Sequence, residues 1–174
     1  MDRKQVRAFE VFVNESGDAL LRTATLLTSD RHAAEDLYQE TLHRLFTHWS
    51  RVDNPGGFCR RVLHNLVVDL ARARQRRPRE LELYDNYDGT DPQSGDPAAA
   101  AELRPAVLAA LDTLTVHQRS VVVLRYFEDL SQDEVAELLG VSPGTVKSTA
   151  SRAVAQLRAQ PGLVALFADA SATS

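Results

Sequence analysis

Between Arg51 and Arg79 the sequence places eight arginines, at 51, 60, 61, 72, 74, 76, 77 and 79, against two acids, Asp53 and Asp69, a local excess of six positive charges. Guanidinium groups at that density suit contact with phosphate oxygens, which they engage bidentately while displacing counterions. The next stretch has the opposite sign, with seven acids and no lysine or arginine between Glu80 and Leu103. The net charge of −4 for the 174 residues therefore averages over segments that suit different partners. A second group with binding chemistry lies further on. Ser142, Thr145, Lys147, Ser148, Ser151 and Arg152 combine short hydrogen-bonding side chains with two cations, a set that can meet base edges and phosphates in a major groove.

Catalysis and metal binding find little to build on. The five histidines (32, 43, 48, 64, 117) contain no HExxH pair, His43 and His48 do not share a helical ridge, and no glycine-rich phosphate loop follows a strand. Cys59 is the single cysteine, so neither an intrachain disulfide nor a cysteine-based zinc cluster can form. Its neighbours Phe58 and Val62 suggest a small buried side chain, although Arg60 and Arg61 could lower a thiol pKa. A nucleic-acid enzyme would need acids on a rigid scaffold, and the acid-rich segment has none. The expectation is a protein without catalytic residues, cofactor or metal. No secretory leader opens the chain and no apolar run reaches membrane-spanning length, so a cytoplasmic protein without a membrane partner is expected.

Helices must position these residues. Phe9, Phe12, Val13, Leu20, Ala24 and Leu27 recur at three-and-four spacing and predict a helix over about 4–27. Ala34, Leu37, Tyr38, Thr41, Leu42, Leu45, Phe46 and Trp49 predict another over 30–48. Phe58, Val62, Leu66 and Leu70 predict a third over 56–76, entered through a loop at about 49–56 that contains the breakers Asn54, Pro55, Gly56 and Gly57. On that third helix Arg61, Asn65, Arg72 and Arg76 form a stripe flanked by Arg60, His64 and Arg74.

Residues 80–98 mix Asp, Gly, Pro and Ser without apolar periodicity and read as an extended linker. The chain therefore divides into a module at 1–79, an acidic linker at 80–100, a second module at 101–161 and a tail at 162–174. The linker holds too few apolar residues to tie the modules together, so they are expected to fold separately. In the second module Thr115 with Gln118, and Ser131 with Glu134, match the capping box that starts a helix. Gly140 ends the Ser131 helix, and Ser142 with Pro143 starts the next. Val135, Leu138, Leu139 and Val141 can then pack on Val146, Ala150, Val154 and Leu157, a helix-turn-helix that turns the 142–152 polar set outward.

The fold class is all-α, with two small helical domains. Helix 30–48 also exposes Glu35, Asp36, Gln39, Glu40, His43 and Arg44, which as a charged face suits solvent or a docked protein. Function divides at the same point. A free-standing repressor or activator would use 131–158 as a two-fold dimer on duplex DNA, whereas a polymerase-dependent factor would bind specifically only with its polymerase.

Three stretches bear a resemblance that is more specific than any single helix-turn-helix. AAEDLYQETLHRLF (33–46), FCRRVLHNLVVDLARARQRR (58–77) and LRYFEDLSQDEVAELLGVSPGTVKSTASRAVAQLR (124–158) resemble, in order, regions 2.2, 2.3–2.4 and 4 of the extracytoplasmic-function sigma factors, in their short actinobacterial form. The resemblance implies a transcription initiation factor. Asp36, Gln39, Glu40 and Arg44 would dock on the clamp helices of the polymerase β′ subunit, and the second module would engage the β flap. The loop of Arg51, Asp53 and Asn54 would capture a flipped base of the −10 element, and Arg60, Arg61, His64, Asn65 and Arg72 would open the strands and hold their backbone. The last helix would read the −35 element of promoter DNA, the acidic linker would thread toward the polymerase active centre, and an anti-sigma factor would hold the protein inactive. The chain departs from the pattern twice. Many relatives carry a second basic residue near position 153, which is Ala153 here, and the tail has no clear counterpart.

Overall fold

In the computed structural model the described residues are 2–76 and 97–160, with side chains described from Pro105 onward in the second stretch. Among them every regular element is helical. Most of the expected linker and the whole 162–174 tail lie outside the described residues, as do Arg77 and Arg79.

Helix α1 spans Arg3–Thr28 and opens with a capping box, in which Gln5 N donates to Asp2 Oδ1 (2.8 Å) and Asp2 N donates to Gln5 Oε1 (3.1 Å). It stops where Ser29 turns left-handed (φ 53°). One residue later Asp30 accepts from Ala33 N and starts α2, Arg31–His48. A short 3₁₀ turn, Trp49–Arg51, leads to α3, Pro55–Arg76, whose proline has no N–H to leave unpaired at the helix start. The three helices pack mutually, and Gly17, which has no side chain, lets the Tyr38 hydroxyl come against α1.

The second half comprises α4 (Pro97–Asp112), α5 (Val116–Val122), α6 (Gln132–Leu139) and α7 (Pro143–Arg158). Helix α4 therefore begins inside the span read as linker. The Thr115 and Ser131 capping boxes both form, and Gly140 takes the left-handed conformation (φ 67°). After Val122 the chain makes one wide π turn, Val123–Phe127, closed by Glu128 N donating to Val123 O (3.0 Å).

The two small helical domains also meet over a common buried cluster. Leu20, Ala24, Leu27, Ala34, Leu45, Cys59, Leu63 and Val67 from the first half form one buried cluster with Leu111, Leu114, Val122, Val123 and Ala153 from the second. A smaller cluster of Val121, Leu124, Val135, Ala136, Val146 and Ala150 lies under the helix-turn-helix. Truncating a leucine in such a core to alanine typically costs about 2–5 kcal/mol, so the shared cluster weighs heavily in how the halves sit. The link was illegible locally because it depends on the pairing of two helical faces far apart in sequence.

Arg119 sits at the seam with 9% of its side chain exposed, where it pairs with Asp112 and donates to Leu111 O (2.9 Å), Leu27 O (3.1 Å) and Ser29 Oγ (3.2 Å). It thus satisfies a carbonyl at the end of α1, where the helix dipole favours a cation. Two core expectations shift. Phe46, read as part of the buried stripe, is 44% exposed and rests edge-on against Phe9, with centroids 5.2 Å apart. On α3 the most buried positions are Cys59, Val62, Leu63 and Val67, with Phe58, Leu66 and Leu70 half-buried beside them.

Candidate nucleic-acid interface

The best-formed reading surface is on α7. Val146, Thr149, Ala150 and Ala153 are buried against the bundle, which turns Ser142, Thr145, Lys147, Ser148, Ser151 and Arg152 to solvent. Ser142 caps the helix by accepting from Thr145 N (3.1 Å), and its hydroxyl lies 2.8 Å from Thr145 Oγ1. Arg152 Nε donates to Ser148 O (3.3 Å), which lays the guanidinium along its own helix. The first turn of α7 holds no acid, so the positive end of the helix dipole faces outward beside Lys147.

The residues expected at the −10 element fall into two groups. Arg51, Asp53, Asn54, Arg61, Asn65 and Arg72 are exposed. Asn54 also has structural work, since its Oδ1 accepts from Gly57 N (2.9 Å), and a Cβ on Gly57 would meet its amide nitrogen at 2.8 Å. Arg72 lies 3.6 Å from Asp69. Arg60 and His64 instead face the second half of the molecule. Arg60 Nε donates to Glu128 Oε2 (2.7 Å), with 28% of the arginine and 13% of the glutamate side chain exposed. Thr23, on α1, donates to the other oxygen of Glu128. His64 Nδ1 is 2.9 Å from Ser120 Oγ, whose own proton goes to Val116 O, so the ring nitrogen is the donor. Burial, with His117 nearby, lowers the His64 pKa.

The docking residues expected on α2 share one outer face. Asp36 and Gln39 are exposed, and Glu40 accepts from Arg44 Nε (2.7 Å), a surface pair of the kind that contributes about 0.3–0.5 kcal/mol. Cys59 is fully buried, and burial pushes its thiol up to about 12 in spite of Arg60. That overturns a reactive role for it, since the thiolate is the nucleophile. Among the described residues no cluster of three or more His, Cys, Asp or Glu could hold a metal, and no helix is long and apolar enough to cross a membrane.

Sequence reading missed Thr23, Arg119, Ser120 and Glu128. Arg119 carried a usable signal: it lies three residues after Val116 and three or four before Val122 and Val123, on the buried side of its helix. The other three depend on contacts 56 to 105 residues apart and had none.

A helix-turn-helix with an open reading face, beside a helix lined with arginines, is the layout of a DNA-binding protein with two points of contact. Comparison with known proteins narrows that class. Residues 12–77 match the model of sigma-70 region 2, and residues 104–157 match that of sigma-70 region 4. The chain is 38% identical to the RNA polymerase sigma-E factor of Streptomyces coelicolor over 97% of its own length and 93% of that protein. It is 33% identical to the ECF RNA polymerase sigma factor SigL of Mycobacterium tuberculosis, over 83% and 84% of the two chains. Among solved structures it is similar to CnrH in complex with the cytosolic domain of CnrY, with a TM-score of 0.63, 27% identity, and 88% and 86% of the two chains covered. It shares the fold of the sigma factor RpoE, crystallised with the anti-sigma factor NepR from Bartonella quintana, at a TM-score of 0.66 and 23% identity over 87% and 95% of the chains. The chain belongs to the extracytoplasmic-function sigma factors of the sigma-70 family, the subunits that direct RNA polymerase to promoters.

Proposed function

We propose that the protein initiates transcription through three surfaces. Asp36, Gln39, Glu40 and Arg44 on α2 dock on the β′ clamp helices of core polymerase, and the second half engages the β flap. Arg51, Asp53 and Asn54, with Arg60, Arg61, His64, Asn65 and Arg72, capture and hold the opened −10 element. Ser142, Thr145, Lys147, Ser148, Ser151 and Arg152 read the −35 element. The division of labour follows 1–79, 80–100 and 101–161, the acidic linker leading toward the polymerase active centre. The protein is non-catalytic, works in the cytoplasm, and is restrained by an anti-sigma factor, in keeping with the complexes formed by CnrH and RpoE.

The observation that carries this reading is the succession, in one chain, of region 2 and region 4 matches whose polar faces on α2 and α7 are open to solvent. The test is reconstitution with core polymerase, followed by transcription from a library of randomised promoters. Recovery of transcripts sharing two spaced elements, dependent on both protein and core enzyme, is the expected result. Tight, specific duplex binding by the chain alone, as a symmetric dimer, would assign it to the repressors.

A further inference from the structure

The loop that enters α3 alternates between residues that are tied down and residues that are not. Trp49 and Val52 pack against the shared core, and Val52 N donates to Trp49 O (3.3 Å). Asn54 is tied at the other end. Its Oδ1 accepts from Gly57 N (2.9 Å) and its carbonyl accepts from Phe58 N (3.0 Å), the two bonds of a helix N-cap. Arg51 and Asp53 fall between and beside these anchors. Both are exposed, and their side chains make no hydrogen bond or ion pair with any described residue.

Asn54 is exposed as well, but its amide is already committed. The oxygen holds Gly57 N, and the nitrogen lies so close to Gly57 that a Cβ at that position would stand 2.8 Å from it. Only a residue without a side chain at 57 lets the amide settle there. An asparagine that reads a base edge does so with both amide atoms, and turning both toward a base would break the cap. Asp53 has the opposite character. Its carboxylate offers acceptors alone, which suit the N–H donors of a base edge, while Arg51 offers donors to a phosphate or a base carbonyl.

We propose that Asn54 and Gly57 are positioning residues: the cap they form fixes the loop so that the Asp53 carboxylate, with Arg51, meets the captured base, and Asn54 itself reads nothing. The proposal rests on the assignment of this loop to the −10 element. Its test uses holoenzyme assembled from core polymerase and each full-length variant, offered promoters randomised across the −10 element, with the bases recovered in open complexes counted. A purely structural loss would lower the yield of complexes and leave the choice of base alone. Asp53→Ala marks the captured position by abolishing preference there. Asn54→Ala lowers the preference at that same position about five-fold, the worth of a typical N-cap. Asn54→Ser and Asn54→Asp cap a helix about as well as asparagine but present different groups to a base, so each recovers most of the preference for the wild-type base. Gly57→Ala reproduces Asn54→Ala, and its effect shrinks in the Asn54→Ser background, where no amide nitrogen stands in the way.

A new preferred base, or a loss as large as that of Asn54→Ala, in either Asn54→Ser or Asn54→Asp makes Asn54 a reader and overturns the proposal. An undiminished preference in Asn54→Ala or in Gly57→Ala overturns it too. If Asn54→Ala fails to fold, as circular dichroism would reveal, Asn54→Ser and Gly57→Ala decide in its place. Should Asp53→Ala and Arg51→Ala both leave every −10 preference intact in a holoenzyme that transcribes, the assignment of the loop falls and the proposal with it; an effect of Asp53→Ala without the predicted pattern at 54 and 57 removes the proposal alone.

Discussion

On α7 the candidate reading residues make their hydrogen bonds within the helix's own first turns, Ser142 to Thr145 and Arg152 back to Ser148. On α3 the corresponding bonds leave the helix and cross to the other half of the molecule, Arg60 to Glu128 and His64 to Ser120. Both helices carry cations and short polar groups, and both are anchored by a buried apolar stripe. The difference lies in what the opposite face meets. Helix α7 packs its apolar side on α5 and α6 and leaves its polar side to solvent, whereas α3 is sandwiched, with α1 and α2 on one side and α5 and α6 on another. Cationic composition alone therefore does not make a free DNA-binding surface; the packing partner decides it.

The contrast breaks most easily at the seam. Arg119→Ala would leave Leu27 O without that donor and unpair the half-exposed Asp112, while Leu111 O keeps the bond from Leu114 N, and a buried acceptor left unsatisfied costs about 1–3 kcal/mol. At about 2–4 °C per kcal/mol for a chain of this length, a fall of roughly 5 °C in Tm is expected by thermal denaturation. Wild type should melt in one transition, and two well-separated transitions would show that the halves are thermodynamically independent.

Docking should be insensitive to the seam, because the outer face of α2 lies away from it. Asp36→Lys and Glu40→Lys are each expected to abolish co-purification with core polymerase while leaving helical content by circular dichroism unchanged. Retained co-purification in both would remove α2 from the polymerase interface.

The open face of α7 allows a finer distinction. Lys147 is near the helix start and is expected to read a base, so Lys147→Ala should cost about 1–3 kcal/mol and relax preference at one position of the −35 element. Arg152, a turn and a half further along, is expected to hold backbone, so Arg152→Ala should weaken all sequences alike and reduce the salt slope by about one. Holoenzyme binding to promoters randomised in the −35 element, at two salt concentrations, separates the two.

The smallest effect is titration of the seam. Burial depresses the His64 pKa below its ordinary 6.5, so the neutral ring is the form the folded protein favours. Its contribution is therefore neutral above pH 6.5 and becomes destabilising as pH falls from 6.5 through the depressed value. Denaturation midpoints at pH 7.5 and 5.5 should differ more in wild type than in His64→Gln, and an equal difference would free His64 of any role in that pH range.

Local chemistry made much of this architecture readable in advance. The apolar spacing placed α1, α2 and α3 within a residue or two of their ends, and the Thr115 and Ser131 boxes, Gly140 and the Ser142–Pro143 pair marked the helix-turn-helix, because caps and left-handed turns are written in a few adjacent residues. The outward set on α7 was legible for the same reason. Arg60 and His64 were recognised by type but not by circumstance. Their partners lie 68 and 56 residues away, and nothing local distinguishes an arginine facing solvent from one facing a glutamate on another helix. Phe46 failed differently, since it stands one residue from the fully buried Leu45, at the edge of the apolar stripe, and is covered only in part, by Phe9.

The wide turn at Val123–Phe127 carries a consequence of another kind. A π turn is an α turn with one residue to spare, so it is a natural site for a single-codon deletion that leaves the reading frame and the helix intact. Such a deletion would turn everything beyond it by about 100° about the helix axis, moving Glu128 off Arg60 and Thr23 with both of those partners kept.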